Sequence, residues 1–275
     1  MRKWIAGAAA LGLAALVAAC GSSGHPTSGS DATAGAASRG PSSTGPVRTA
    51  VTPAEIASMM QAGAARVTSA HLAWESKLGD EVLLAMQGDE QLAAGKVVAM
   101  DLQEKLGGDL VRVLAVGGKA YVNVVSGPDA TGKTWILASP TSTDPVLKSL
   151  AGSIASAQQS GAADAYGVFV LAARSAKKVG TEPIAGQAAT HYTVTVDLRK
   201  VHSPLITAQI RQAMSEAGIS TIPLDLWLDD HGRPLKVVDV VAAEGQRSTN
   251  TVTLTKYNEP VTIAAPPADE VVTSE

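Results

Sequence analysis

Apolar and polar residues alternate along most of the chain beyond residue 70, and this alternation is its strongest structural signal. A period of two is typical of strands that have one face in a core and the other in water. Turn-forming residues at 79–80, 94–95, 107–109 and 117–118 separate the runs, which predicts antiparallel hairpins. The residues predicted to share a face within a run are Leu72, Trp74, Ser76 and Leu78; Val82, Leu84 and Met86; Val98, Met100 and Leu102; and Tyr192, Val194, Val196 and Leu198.

Three segments have helical spacing instead. The first runs from Pro53 to Ser69, where Thr52 and Glu55 form the capping-box pattern of a helix start. The second, 144–173, predicts two short helices, and the third covers about Val201 to Ala217. With about eleven strands, these parts predict an α+β fold in which one strongly curved antiparallel sheet carries the helices on its concave face.

The stretch GPDATGKT, residues 127–134, satisfies the phosphate-binding pattern G-x-x-x-x-G-K-[ST]. That pattern binds phosphates only where a strand leads into the loop and a helix leaves it. Here the residues after the loop, Thr134-Trp135-Ile136-Leu137-Ala138, have strand character and Pro140 follows. The stretch is therefore interpreted as a hairpin turn between the fifth and sixth strands, and no nucleotide site is expected.

The N-terminus predicts export and lipidation. A cationic start is followed by an apolar run of about 13 residues, too short to span a bilayer, and the run ends in Val17-Ala18-Ala19-Cys20. These four residues resemble the lipobox of bacterial lipoproteins. The resemblance implies that residues 1–19 are a lipoprotein signal peptide and that mature Cys20 carries an N-acyl group and an S-diacylglycerol. The alternative is an ordinary secretory signal followed by an incidental thiol, since a lone cysteine cannot form an intramolecular disulfide.

The composition divides the rest of the chain into a linker and a domain. Residues 20–50 are the lipidation site and a Gly/Ser/Ala-rich segment that cannot bury a core, and as a coil it would extend roughly 30 Å. Residues 51–275 fit one domain. Removing Arg2 and Lys3 with the signal lowers the formal net charge from −3 to −5. An acidic chain with 3% aromatic residues has neither the basic surface nor the stacking platforms of a nucleic-acid binder.

Several strand phrases resemble the LolA/LolB-type lipoprotein carriers, and most closely the actinobacterial LppX/LprG-type lipoproteins. The phrases are AYVNVV with GKTWILAS, GQAATHYTVTVDL, LDLWLDDHGRPLKV and VTLTKYNEPVTIAAPPADEV. The resemblance implies a LolA-like lipid-binding domain over 51–275: an open, unclosed β-barrel that holds acyl lipids or glycolipids in a hydrophobic cavity and carries or presents them. It also implies an extracytoplasmic protein on the outer face of the bacterial cell membrane, with an envelope transporter as a further partner.

Few large aromatic side chains are available to fill a wide curved sheet, which favours a cavity. Within it, Asp239 is a candidate for orienting a lipid headgroup. The predicted cavity residues are Trp74, Leu84, Met86, Met100, Val113, Leu137, Tyr192, Val194, Leu224 and Leu226, with Val252 and Leu254 on the same face.

No enzyme, metal or cofactor is predicted. The chain has no G-x-S-x-G elbow or H-E-x-x-H helix, and its histidines lack ligand spacing. Asp229-Asp230-His231 is interpreted as a polar hairpin tip, and His191 as a solvated surface residue. Two alternatives to a lipid carrier stay open: a regulatory or sensory lipoprotein that binds a protein partner with the same sheet, and an envelope hydrolase, for which no local signature exists.

Overall fold

A computed structural model describes residues 51–106, 109–125, 135–159, 161, 165–203, 206, 208–243 and 246–273. Its α-helices are α1 Pro53–Ala64, α2 Pro145–Ala157, α3 Gly167–Leu171 and α4 Ala208–Glu216. Its strands are β1 Ser69–Leu78, β2 Glu81–Ala93, β3 Lys96–Leu106, β4 Asp109–Val116, β5 Lys119–Val125, β6 Trp135–Ala138, β7 Ala173–Ile184, β8 Gln187–Asp197, β9 Thr221–Leu228, β10 Pro234–Ala243, β11 Gln246–Thr255 and β12 Val271–Thr273.

All described strands belong to one open sheet of twelve, in the order β12-β6-β5-β4-β3-β2-β1-β11-β10-β9-β8-β7. The predicted α+β fold with a single unclosed sheet is confirmed. The strand missing from the prediction is β12, whose three residues are too few for a periodic signal. It pairs in parallel with β6, so the sheet is mostly rather than wholly antiparallel.

One face of the sheet forms the main core together with the helices. The buried cluster on this face joins Ala138 of β6, near one edge, to Val196 of β8, near the other, and includes residues of α1, α2 and α3. We call it the concave face, and the opposite side the convex face. The predicted capping box at the start of α1 is confirmed, because Thr52 and Glu55 bond each other's backbone N–H groups. The helix ends at Ala64, five residues before the predicted Ser69.

Two bulges change the predicted faces of β2 and β3. Ser76 pairs with Leu84 but Lys77 pairs with Val82, so one extra residue interrupts the alternation. Likewise Val98 is the extra residue between two pairs of the β2–β3 ladder. Val82 and Val98 are therefore exposed, at 47% and 48%, instead of lying in the core as predicted. A bulge inserts one residue and reverses the side-chain alternation beyond it.

The antiparallel ladder gives the sheet two distinct ends. The α1 end contains the turns at 94–95, 117–118, 185–186 and 229–233. The α4 end contains the turn at 79–80 and the segment 198–220, because Asp197 at the end of β8 pairs with Thr221 at the start of β9.

Helix α1 packs directly on the backbone of the 229–233 turn. A Cβ on Gly63 would lie 2.7 Å from the His231 oxygen, and one on Gly232 would lie 2.4 Å from the Met59 oxygen. Gly232 also has φ +79°, a conformation that glycine adopts without strain. Both positions therefore need glycine for the helix and the turn to approach this closely.

The phosphate-loop motif at 127–134 lies outside the described residues. Its flanks are antiparallel strands, since Ala120 of β5 pairs with Ala138 of β6, and the chain continues as strand from Trp135. The predicted strand after the motif is confirmed, and the helix that a phosphate-binding loop needs does not begin there.

Candidate functional site

Nine of the ten predicted cavity residues lie on the concave face. All nine are buried members of the main core cluster, as are Val252 and Leu254. Helices and neighbouring side chains cover them, so this part of the concave face is packed. That any of them contacts a lipid stays a prediction. The nine are Trp74, Leu84, Met86, Met100, Val113, Tyr192, Val194, Leu224 and Leu226.

Leu137, the tenth residue, is on the convex face, and its prediction as a cavity residue is wrong. It pairs with Tyr121 of β5 and packs with Tyr121, Trp135 and Leu114 against the C-terminal residues Ile263 and Val271. Strand β6 has only four residues, two buried at its ends and two half-buried. Such a short run cannot indicate by alternation which side chains face inward.

A pocket of about 560 Å³ opens at the α4 end. Its apolar wall consists of Leu198, Ile206, Met214 and Ile219, of which the first three belong to the main core cluster and the fourth packs against it. Side chains of the main core therefore form part of the wall of this surface pocket. None of the ten predicted cavity residues lines it. Its remaining wall residues are Arg199, Arg211, Gln212, Ser215, Gly218 and Ser220.

Arginines surround one buried carboxylate beside this pocket. Arg199 donates from Nε and Nη2 to the two Asp197 oxygens, at 3.0 and 3.1 Å, and Arg174 donates from Nε at 3.0 Å. These bonds hold the pKa of Asp197 well below its usual range, with the Arg199 bond as the largest cause. Arg211 donates to the Val201 and Ile206 carbonyls, both at 2.9 Å, and so fastens α4 to the segment before it.

Two carboxyl groups with raised pKa values lie on the concave face. Burial raises the pKa of Glu104 to about 7 and that of Asp239 to about 6. Asp239 accepts a hydrogen bond from Asn250 Nδ2 at 2.9 Å, which partly opposes the effect of burial. The described part of the chain offers Glu104 no cation within ion-pair distance.

Asp239 also lines a cavity of about 20 Å³ beneath α3, together with Tyr166, Phe169 and Leu224. This volume suits about one water molecule. Burial, and secondarily the charge of Asp239, raise the pKa of the Tyr166 phenol. The predicted position of Asp239 on the inner face agrees with its pairing to Asn250 and Leu224.

The convex face carries polar side chains in local pairs. His191 is half-buried, stacks on Trp227 at 4.2 Å between ring centroids, and bonds Asp225 at 2.9 Å. It is thus not the solvated residue that the sequence predicted. Within the described residues no group of His, Cys, Asp and Glu is arranged to hold a metal ion. The described helices include none that is long and apolar enough to cross a membrane.

The residues in and beside the pocket are those that the sequence did not indicate. Arg174, Asp197 and Arg211 come from β7, β8 and α4, and no local spacing connects them. The one local signal is Asp197-Leu198-Arg199, in which Asp197 accepts from the Arg199 N–H and caps a short 3-10 helix. The helix predicted at 201–217 corresponds to α4, but the sequence did not indicate that this helix forms part of the pocket wall.

Comparisons with known proteins place the chain by fold. No family model matches it. It is 29% identical over 109 residues to an uncharacterized 31.2 kDa protein of Streptomyces griseus; the match covers 38% of this chain and 36% of that protein, about a third of its length.

Among solved structures, LprF from Mycobacterium bovis superposes with TM-score 0.50 at 15% identity, covering 78% of this chain and 96% of LprF. The Mycobacterium tuberculosis lipoprotein LppX gives TM-score 0.48 at 18% identity, over 76% of this chain and 98% of LppX. The chain thus has the fold of LprF, which confirms the open-sheet fold implied by its resemblance to the LolA/LolB-type and LppX/LprG-type lipoproteins.

Proposed function

We propose that this chain is a cell-envelope lipoprotein that binds acyl lipids or glycolipids and carries or presents them. The observation that supports this best is the pocket at the α4 end. Its volume of about 560 Å³ lies within the range of about 300–1,000 Å³ usual for small-molecule sites. Its apolar wall is shared with the core, so that a chain entering the pocket would lie against Leu198, Ile206 and Met214.

The energetics of chain burial are adequate for this function. Each methylene removed from water contributes about 0.8 kcal/mol. Burying about ten methylenes therefore contributes about 8 kcal/mol, which is comparable with the loss of translational and rotational freedom on binding. Longer or paired chains would bind tightly enough to copurify.

The N-terminal segment, which lies outside the described residues, would place this pocket near a membrane. We propose that Cys20 is lipidated after removal of residues 1–19 and anchors the protein to the outer face of the cell membrane. Several acyl chains anchor a protein stably, whereas one does not. The Gly/Ser/Ala-rich linker to residue 50 would let the domain reach roughly 30 Å from the anchor.

The proposal is tested by native mass spectrometry of the full chain carrying Cys20→Ala, so that no attached acyl chain competes for the pocket. We expect an added mass that corresponds to an acyl lipid. Ser215→Trp places a large side chain in the pocket wall and should reduce the bound fraction at least tenfold. Thr181→Trp introduces the same side chain at an exposed position of β7 and should leave it unchanged.

A folded chain that copurifies without lipid, and that fails to take up a fluorescent fatty acid, would contradict the proposed function. Equal lipid retention by Ser215→Trp and the parent would instead place the lipid away from this pocket.

A further inference from the structure

The arginines beside the pocket give its mouth a cationic excess. Arg174 and Arg199 pair with the single carboxylate of Asp197, and Arg211 forms part of the pocket wall. The other nearby acid, Glu216, accepts a hydrogen bond from Gln212 on α4. Three arginines against two carboxylates leave a net charge of +1 at this mouth.

The two arginines that pair with Asp197 are accessible to a ligand. The Arg199 side chain is 69% exposed and that of Arg174 is 45% exposed, whereas Asp197 is only 2% exposed. Asp197 thus holds the two guanidinium groups in place from below and offers little negative charge to the surface. A fixed guanidinium group presents several N–H donors in a plane, a geometry that matches phosphate and carboxylate oxygens.

The interior of the concave face has the opposite electrostatic character. Glu104 and Asp239 are acidic side chains on that face, and neither pairs with a cation among the described residues. An anionic group carried inward would approach carboxylates in a poorly solvated environment, where repulsion is strong. The same group at the mouth would contact Arg199 and Arg211.

We propose that the pocket selects acyl lipids with an anionic polar group, such as a phosphate ester, which binds Arg199 and Arg211 at the mouth while the acyl chain enters the core. This inference rests on the proposed function, since it specifies the lipid class of the same pocket. It orients the ligand with its headgroup at the α4 end. A neutral acyl lipid of the same chain length binds the apolar wall alone.

Two ligands that differ only in the phosphate test this: phosphatidic acid and diacylglycerol with identical acyl chains. The full chain with Cys20→Ala is titrated with each, by displacement of a fluorescent fatty acid. We expect phosphatidic acid to bind at least tenfold more tightly than diacylglycerol, and this preference to shrink as the salt concentration rises.

Arg199→Gln should weaken the binding of phosphatidic acid about tenfold and leave the binding of diacylglycerol unchanged. Lys96→Gln removes one exposed positive charge at the α1 end and should change neither.

The outcomes separate this inference from the proposed function. If neither lipid binds, the proposed function fails. If both bind equally, or if Arg199→Gln weakens both equally, the headgroup assignment is wrong while lipid binding stands. Inorganic phosphate at millimolar concentration should not displace the probe; displacement at the concentration effective for phosphatidic acid would assign the arginines to a free anion. Should Arg199→Gln melt at a lower temperature than the parent, Arg211→Gln gives the same test through the second arginine assigned to the headgroup.

Discussion

The two ends of the sheet differ in how completely their polar groups are paired. At the α1 end, buried Asp229 accepts from the backbone of His231 and Arg233 and from Arg233 Nε, all within 3.0 Å. Toward the α4 end, Glu104 lies two residues from the end of β3 and is buried by apolar neighbours, with a pKa raised to about 7. The α1 end thus pairs its buried acid with a cation, whereas toward the α4 end Asp197 is paired but Glu104 has no cation partner among the described residues.

This difference indicates that the two ends of the sheet have different roles, the α1 end in stability and the α4 end in the proposed binding. Helix α1 rests on the 229–233 turn with backbone atoms almost in contact, a packing that leaves no room for a ligand. At the α4 end the chain retains a pocket, exposed arginines and an acid, Glu104, that has no cation partner among the described residues. Unpaired buried charges cost stability, and groups with perturbed pKa values concentrate at functional sites. The α1 end therefore closes the fold, and the α4 end is where the proposed ligand would enter.

The largest expected effect is at the α1 end, from Gly232→Ala. The new Cβ would lie 2.4 Å from the Met59 oxygen at a residue with φ +79°, so α1 must move away from its turn. We expect a loss of about 3 kcal/mol in the free energy of unfolding, from clash and backbone strain together. Urea denaturation followed by circular dichroism measures it.

Gly186→Ala provides the matched control for that variant. Gly186 has φ +81° in the β7–β8 turn, but a Cβ there meets no atom within 4 Å among the described residues. It should cost only about 1 kcal/mol, the strain of a left-handed non-glycine residue. Equal losses for the two variants would mean that the helix–turn contact contributes nothing, and that the α1 end is no better fastened than an ordinary hairpin.

The sequence predicted the fold better than the site because their signals have different ranges. Alternation along single strands placed Trp74, Met86 and Tyr192 on the concave face without knowledge of their neighbours. It failed at Val82 and Val98, since a bulge is a property of the pairing between two strands and leaves no period of its own.

The candidate site depends on residues far apart in the chain. Arg174 and Arg199 meet at Asp197 only because β7 and β8 pair and a 3-10 helix follows. A single sequence cannot show that three such residues converge. The apolar pattern could indicate that a cavity is reasonable, but not that it opens at the α4 end.

Glu104→Gln tests the difference between the two ends, because it removes the acid that has no cation partner among the described residues. The pKa of Glu104 is about 7 in the folded state, against about 4.3 for an unfolded glutamate. The folded state therefore holds its proton more tightly, so that stability is full below about pH 4 and falls as the pH rises through 7. We expect Gln to increase the free energy of unfolding by about 2 kcal/mol at pH 8 and to change it little at pH 4.

Denaturation curves at both pH values measure this effect, with Glu81→Gln as the control at an exposed carboxyl group of β2. A pH-independent change in the Glu104 variant would show that its carboxyl group ionises as freely as one in water. The concave face would then carry no charge penalty.

The smallest effect on the free energy of unfolding is expected for Asp239→Asn. This variant tests whether burial alone, or burial together with hydrogen bonding, sets the cost of an acid on the concave face. Asp239 has a pKa of about 6 against about 3.9 unfolded, so it also destabilises the fold as the pH rises through 6. Its carboxylate, unlike that of Glu104, accepts a bond from Asn250, and it borders a cavity that suits about one water molecule. The Asn250 bond stabilises the ionised form and keeps the pKa of Asp239 closer to its ordinary value than that of Glu104, so the gain at pH 8 should be only about 1 kcal/mol. Asn250→Ala should raise the Asp239 pKa further, which is measurable by NMR titration of the carboxyl carbon. If instead Asp239→Asn stabilises the chain as much as Glu104→Gln does, the Asn250 bond has no net effect, and burial alone sets the cost of an acid on this face.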